Sequence, residues 1–476
     1  FSLEFGGRQN PLAEALFTTR DSRNYRFQLF NNFEVKLLPF LTYRLNLGAN
    51  TRLEKLNNFD PTIVQTVGRP ATGSEEQELS YDYQIENLLY FKKSIKDIHN
   101  FNAVGGYTLQ KWDEEFSRIS ATAFVSDNIS TFNNVLTLNT GDTRTTREAR
   151  ALTGLFANLQ YDFKGRYLIS GVLRRDGSSR FGENKKYGVF PSYSVGWRIS
   201  NEPFMKGVDN VFSNVLLRAG FGTVGNDRIG NYPSRLLYGP GSFYGGINGI
   251  APTQLGNQDL GWESTRTTNL ALDLSLFKGK VDASVDLWSK NTSDLLYRVP
   301  IPAETGFTSI FQNIGGIRNN GIDLSIGITP VKTKHFSWRS DFNITFLRNE
   351  VTELADADGF ESGNSGEITY LVQVGQPLGN MYTYVNNGVF PYAESNAFTP
   401  DGTQLTPLFD DSGKFLRYQL NGSDYTGTIN KLKLQAGNVT LGAGDIWWKD
   451  INNDFLISAE QDRVVTGNGL AKRFGG

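Results

Sequence analysis

Leu41-Thr42-Tyr43-Arg44-Leu45-Asn46-Leu47-Gly48-Ala49 decides the fold, because every odd position is apolar and every even one is polar or small. A strand sends successive side chains to opposite faces, so this stretch is a ribbon with one greasy and one wet side. The same period of two recurs along the chain. Val189, Pro191, Tyr193, Val195, Trp197 and Ile199 oppose Ser192, Ser194, Gly196, Arg198 and Ser200. Val215, Leu217, Ala219 and Phe221 oppose Arg218 and glycines, and Ile322, Leu324, Ile326 and Ile328 oppose Asp323, Ser325, Gly327 and Thr329. Phe336, Trp338, Phe342, Ile344 and Phe346 face away from Ser337, Arg339, Asp341, Asn343 and Thr345.

Alternation alone also suits a soluble β-sandwich with one buried face. The connections separate the two. Lys164-Gly165-Arg166, Lys278-Gly279-Lys280 and Val331-Lys332-Thr333-Lys334-His335 are very short and cationic, and Lys92-Lys93-Ser94-Ile95-Lys96-Asp97 is slightly longer. Between them lie long polar connections at 111–151, 224–263, 290–319 and 348–369. Strict alternation of short turns and long loops is the layout of a bacterial outer-membrane barrel. The expected strand pairs lie near 24–37 with 40–50, 80–91 with 98–110, and 152–163 with 167–175. Then come 189–200 with 213–223, 265–277 with 280–289, and 320–330 with 336–347. That makes about twelve strands, each roughly ten residues long, the length a tilted membrane strand needs. Arg473-Phe474-Gly475-Gly476 reads as the start of a further strand. Tyr161, Phe163, Tyr167, Phe277, Phe336 and Trp338 cluster at the short turns, where aromatic girdles form at the lipid headgroups. The expected class is therefore all-β, a transmembrane antiparallel barrel, in an outer membrane.

Composition agrees and excludes several functions. In 476 residues, 47 lysines and arginines balance 49 acids, which argues against a nucleic-acid binder. Cysteine is absent, and with it disulfides, zinc–thiolate sites and thiol nucleophiles. Two histidines, His99 and His335, both beside lysine-bearing turns, leave no Ser/His/Asp arrangement to draw, so no catalysis and no cofactor are expected. No apolar run approaches the roughly 18 residues of a spanning helix. Phe1-Ser2-Leu3 shows neither a start methionine nor a signal peptide, so the sequence reads as a segment of a longer chain.

Several segments resemble the SusC/RagA family, the TonB-dependent importers of Bacteroidota outer membranes. Arg175-Asp176-Gly177-Ser178-Ser179-Arg180-Phe181-Gly182 is similar to that family's most distinctive barrel signature. Gly196-Trp197-Arg198-Ile199, Leu217-Arg218-Ala219-Gly220-Phe221-Gly222 and Leu260-Gly261-Trp262-Glu263 follow in the family's order. So do Asn319-Asn320-Gly321-Ile322-Asp323 and Lys449-Asp450-Ile451-Asn452-Asn453-Asp454. The resemblance covers essentially the whole chain. It implies a 22-stranded barrel around an N-terminal plug, with residues 1–476 as a barrel segment and the plug, TonB box and terminal strands outside it. It further implies import of a large nutrient, an oligosaccharide or oligopeptide, with a SusD-like lipoprotein as lid and TonB as motor. A passive porin or a structural part of a surface complex is the alternative.

One sequence motif invites metal. Asp450-x-Asn452-x-Asp454 has the spacing of the first half of a calcium loop. Phe455 stands where that loop needs glycine, and Gln461 where it needs glutamate, so an Asx-rich turn in an outer loop is the simpler reading. The wet face carries Arg44, Asn46, Arg198, Arg218, Asp273, Asp323, Arg339 and Asn343, which would line a channel or meet a plug.

Overall fold

The structure, a computed structural model, describes residues 11–65, 69–244, 247–355, 359–362 and 369–468. Twelve long strands dominate it: β1 (Thr19–Leu38), β2 (Leu41–Asp60), β3 (Thr72–Ile95), β4 (His99–Phe124), β5 (Arg144–Phe163) and β6 (Tyr167–Ser178). They continue as β7 (Tyr187–Arg198), β8 (Phe212–Asn226), β9 (Glu263–Leu276), β10 (Val281–Ser293), β11 (Gly316–Lys332) and β12 (Ser337–Glu353). One sheet takes them in chain order, with Val135–Leu138 added beside β4. The expected terminal strand at Arg473 lies outside the described residues.

The six hairpins close as the alternation requires. Lys164 and Gly165 take φ of 56° and 63°, and Lys96 and Asp97 take 54° and 53°. Two successive positive φ values match the right-handed twist of the flanking strands. Gly165 adopts that conformation without a Cβ penalty, and its N–H donates to Asp162 Oδ1 at 2.6 Å.

Register places the faces. Leu45 lies opposite Phe33 and Asn87, and Leu89 opposite Tyr43 and Gly105. Leu159 lies opposite Ala103 and Gly171. Along this face the large apolar side chains stand free of protein: Phe27 is 66% exposed, Leu159 51%, Val195 53% and Phe342 61%. A monomeric soluble protein rarely leaves so wide an apolar face uncovered. Among the described residues no helix is long and apolar enough to cross a membrane.

Strand length departs from the ten residues expected. β3 has 24 residues and β4 has 26. The segment 111–151, expected as a loop, is strand up to Phe124 and again from Arg144. The outward face explains this. It runs apolar through Tyr107 and Leu109 and then changes to Lys111, Asp113 and Glu115, where Lys111 bonds Asp113 at 2.8 Å and Arg147 bonds Glu115 at 3.1 Å. Beyond the lipid the ladder continues, but both faces meet water and the apolar alternation stops. The long strands therefore stand well above the bilayer as a wetted wall.

Two compact units are present, one holding residues 1–314 and 323–343, the other 315–322 and 344–476. The second has a core of its own, where Phe390, Phe398, Leu432, Leu441 and Ile457 pack with Trp447 and Phe455. The connection expected at 348–369 is strand up to Glu353, and the folded body has its core beyond it, between Phe390 and Ile457. Fully buried Asn396 organises it. Its amide donates to the carbonyls of Leu432 and Leu441 at 2.9 and 2.7 Å, and its oxygen accepts from Leu432 N–H at 2.8 Å. Asn396→Ala strands the Leu432 N–H and the Leu441 carbonyl, at about 1 kcal/mol or more each, while the Leu432 carbonyl keeps the Leu441 N–H at 3.1 Å. Limited proteolysis of the full-length receptor is expected to cut within residues 400–440 in this variant and to spare the parent.

Candidate functional site

The opposite face of the sheet is polar, and many of its charged side chains are held by hydrogen bonds or ion pairs. Arg44 donates to Glu34 at 2.7 Å, and Asn46 to Glu86 at 2.8 Å. Gln110 donates to Asp82 at 3.2 Å, and Arg174 grips both oxygens of Asp176 at 2.8 and 2.7 Å. Farther along, Arg218 holds Asp273 at 2.6 and 3.0 Å, and the Trp288 indole donates to Asp323 at 2.9 Å. Arg339 spans Asp341 and Asp282. Each strand supplies alternate residues to this face, so partners meet either across the ladder, as Arg218 and Asp273 do, or two residues apart on one strand, as Arg174 and Asp176 do. Of the eight wet-face residues expected from sequence, only Arg198 turns elsewhere, donating to the Gly165 carbonyl at the hairpin end.

Hollows open on this face, including two among its charged pairs. One, of about 370 Å³, is lined by Gln84, Glu86, Gln110, Arg174, Asp176 and Trp262 together with Phe156. The other, of about 460 Å³ and nearer the short turns, is lined by Asp273, Asp282, Arg339, Asp341 and Asn343. Fixed donors and acceptors beside flat rings suit reversible contact with a polar solute. Trp262 and the Arg174–Asp176 pair were not assigned to this wall from sequence. Arg174 and Asp176 sit two residues apart on β6 and so share its polar face.

Above the hollow, the segment 175–182 builds a rigid corner. Arg180 donates to Asn231 Oδ1 at 3.0 Å and to the Asp227 carbonyl at 2.9 Å, and the Ser178 hydroxyl reaches Asp227 at 2.9 Å. Burial lowers the affinity of Arg180 for its proton while Asp227 opposes the shift, and the guanidinium stays charged. Buried Phe181 packs 5.0 Å from Trp262, whose indole donates to the Lys186 carbonyl at 3.0 Å. Gly182 lies so close to the backbone of Gln258 that no side chain fits between them. The signature is a clasp that fixes loop 227–262 over the wall.

The Asp450 loop is a turn held by its own amides. Asp450 accepts from the N–H groups of Asn453 and Phe455 at 2.8 and 2.7 Å, and Asp454 from Leu456 at 2.8 Å. The Asn452 amide donates to Asp454 at 2.8 Å. Burial pushes the Asp450 carboxyl above its ordinary range, against the pull of those two amides. Among the described residues no three acidic, histidine or cysteine side chains converge on a common point. Phe455 takes φ of 66° and packs against Phe398, so the core holds a phenylalanine in a conformation glycine favours. His99 bonds the Tyr161 hydroxyl at 2.7 Å beside a turn, and His335 is exposed within one.

A sheet that is greasy on one face, wet on the other and hairpinned by tight turns at one end is the wall of a transmembrane β-barrel. Residues 4–466 match the family described as TonB dependent receptor-like, beta-barrel. The chain belongs to that family, and within it to the SusC/RagA type. It is 47% identical to TonB-dependent receptor P39 of Formosa agariphila, over 98% of this chain and 44% of that protein. It is 31% identical to TonB-dependent receptor SusC of Bacteroides thetaiotaomicron, over 66% of this chain and 31% of that one. The solved RagAB peptide transporter superposes with a TM-score of 0.74 at 22% identity, over 90% of this chain and 47% of that one, which establishes the shared fold. The chain thus spans less than half the length of the curated relatives it matches. The family is one of outer-membrane receptors and transporters, not enzymes.

Proposed function

We infer that the receptor carrying this segment imports a large polar nutrient, an oligosaccharide or an oligopeptide, by TonB-driven gating. A SusD-like lipoprotein would close it from outside, docked on the wetted upper wall and loops, and TonB would act through a plug within the barrel. The observation that carries this reading is the polar wall with its paired charges and its aromatic-edged hollow of about 370 Å³. A large solute can exchange hydrogen bonds along such a wall, directly or through bridging water. No covalent step is involved.

The test is uptake of labelled oligosaccharides and oligopeptides by cells whose only importer for them is the full-length receptor. Uptake is expected to cease when TonB is removed, and to fall when the neighbouring lipoprotein is deleted. Accumulation that persists without TonB would mark a passive pore instead. The labelled class that accumulates identifies the cargo.

A further inference from the structure

We propose that the turn end of the barrel is a binding rim for anionic phospholipid headgroups. The proposal rests on the membrane position of the strands and not on the identity of the cargo.

The rim concentrates cations that the acids around it do not balance. Several arginines of the polar wall and of the outer strands are matched to carboxylates, as in Arg44–Glu34, Arg174–Asp176, Arg218–Asp273 and Arg147–Glu115. At the turns, Lys93, Lys96, Lys164, Lys278, Lys280 and Lys334 are all exposed, and none has an acidic partner among the described residues. Nearby acids are already engaged. Asp162 caps the N–H of Gly165 at 2.6 Å. Glu202 accepts from the Tyr167 hydroxyl at 2.7 Å, from the Trp197 indole at 3.1 Å and from Arg166 at 3.4 Å. Those hydrogen bonds, from Tyr167 first and Trp197 second, hold its carboxyl below the usual range, so it stays ionised and occupied. Asp97 and Asp209 are the remaining acids in these turns, too few to neutralise the lysines.

Height and direction fit a headgroup. Consecutive hairpins of an antiparallel sheet lie along one edge, so the lysines form a row. Directly above them, on the lipid-facing side, sits the aromatic belt: Phe101 and Tyr161 at 4.9 Å, His99 and Phe163 at 5.0 Å, and Phe163 and Tyr167 at 6.2 Å. Such rings settle at the boundary between acyl chains and headgroups. Lys164 lies 5.1 Å over the ring of Phe163, and Lys93 5.1 Å over that of Phe40. These cations are therefore held beside the belt, at the level of lipid phosphates. Unpaired ammonium groups there favour a phospholipid with net negative charge over a zwitterionic one.

The probe is full-length receptor in bilayer discs containing equal phosphatidylglycerol and phosphatidylethanolamine, with retained lipids counted by native mass spectrometry. Phosphatidylglycerol is expected to be retained about fivefold over phosphatidylethanolamine. Changing the six lysines to glutamine is expected to bring the ratio near one, and changing them to arginine to preserve it. Heat-modifiable gel migration checks that each variant is folded. Equal retention by the parent overturns the proposal, as does enrichment that survives in the glutamine variant. Displacement of phosphatidylglycerol by inorganic phosphate also overturns it, since the rim would then be a general anion site.

Discussion

Leu159→Arg is expected to cost the folded receptor about 2–4 kcal/mol, and Ile119→Arg, on the same face of the adjacent strand, no more than about 0.5 kcal/mol. Both residues are large, apolar and exposed, at 51% and 43%. Burial therefore gives no reason for them to differ. Position along the strand does. Leu159 sits five residues from Lys164, which is about 12 Å up a strand tilted by about 45°, near the middle of a lipid-facing band about 25 Å tall. A guanidinium there loses water and finds no carboxylate on Ala103 or Gly171, its neighbours across the ladder. Ile119 lies beyond Lys111, Asp113 and Glu115 on β4, with Glu75 directly opposite it. An arginine at 119 meets solvent and an acid. Denaturant unfolding of receptor refolded into bilayers reads the difference. Equal losses at the two positions would mean that the outward change of character at Lys111 does not mark the edge of the lipid.

That pair of variants also measures what the sequence could reveal. Within the lipid, chemistry forces one face to be apolar, so the period of two is written in residues such as Leu41, Tyr43, Leu45 and Leu47, and the six hairpins are legible. Above the lipid the constraint is main-chain hydrogen bonding alone, which any side chain satisfies. Residues 111–124 therefore look like loop while being strand. The folded body after residue 354 was hidden for a different reason. Its core residues Phe390, Phe398, Leu432, Leu441 and Ile457 are far apart in sequence and join through short irregular strands, leaving no local period to read. Wall residues were assigned to the correct face by alternation. Their pairings were not legible, because Arg218 meets Asp273 and Trp288 meets Asp323 only once the register between strands is known. The Asp450 loop carries the spacing of ion ligands, yet its oxygens are spent on its own amides.

Gly182→Ala is expected to unseat loop 227–262 while the barrel strands stay folded. A Cβ at this position would lie 2.0 Å from the carbonyl oxygen of Gln258 and 2.3 Å from its carbonyl carbon. Those atoms are backbone and cannot swing aside as a side-chain tip would. Gly182 also donates its N–H to the Leu260 carbonyl at 2.8 Å, so moving away forfeits a hydrogen bond as well as the packing of Phe181 on Trp262. The cost is set at or above the about 1–3 kcal/mol typical of overpacking a tight contact. It falls on the clasp, since the transmembrane portions of β6 and β9 make their ladder bonds elsewhere. The expected result is trypsin cleavage after exposed Arg228 and Arg235 in Gly182→Ala, with gel migration of the heat-modifiable barrel unchanged. Gly230→Ala is the matched control, because a Cβ there meets nothing within 4 Å. If both variants resist trypsin equally, the close approach at Gly182 does not hold the loop. If only Gly182→Ala is cut, the segment 175–182 acts as the clasp that keeps loop 227–262 over the polar wall, and its glycine is explained by contact rather than by chemistry.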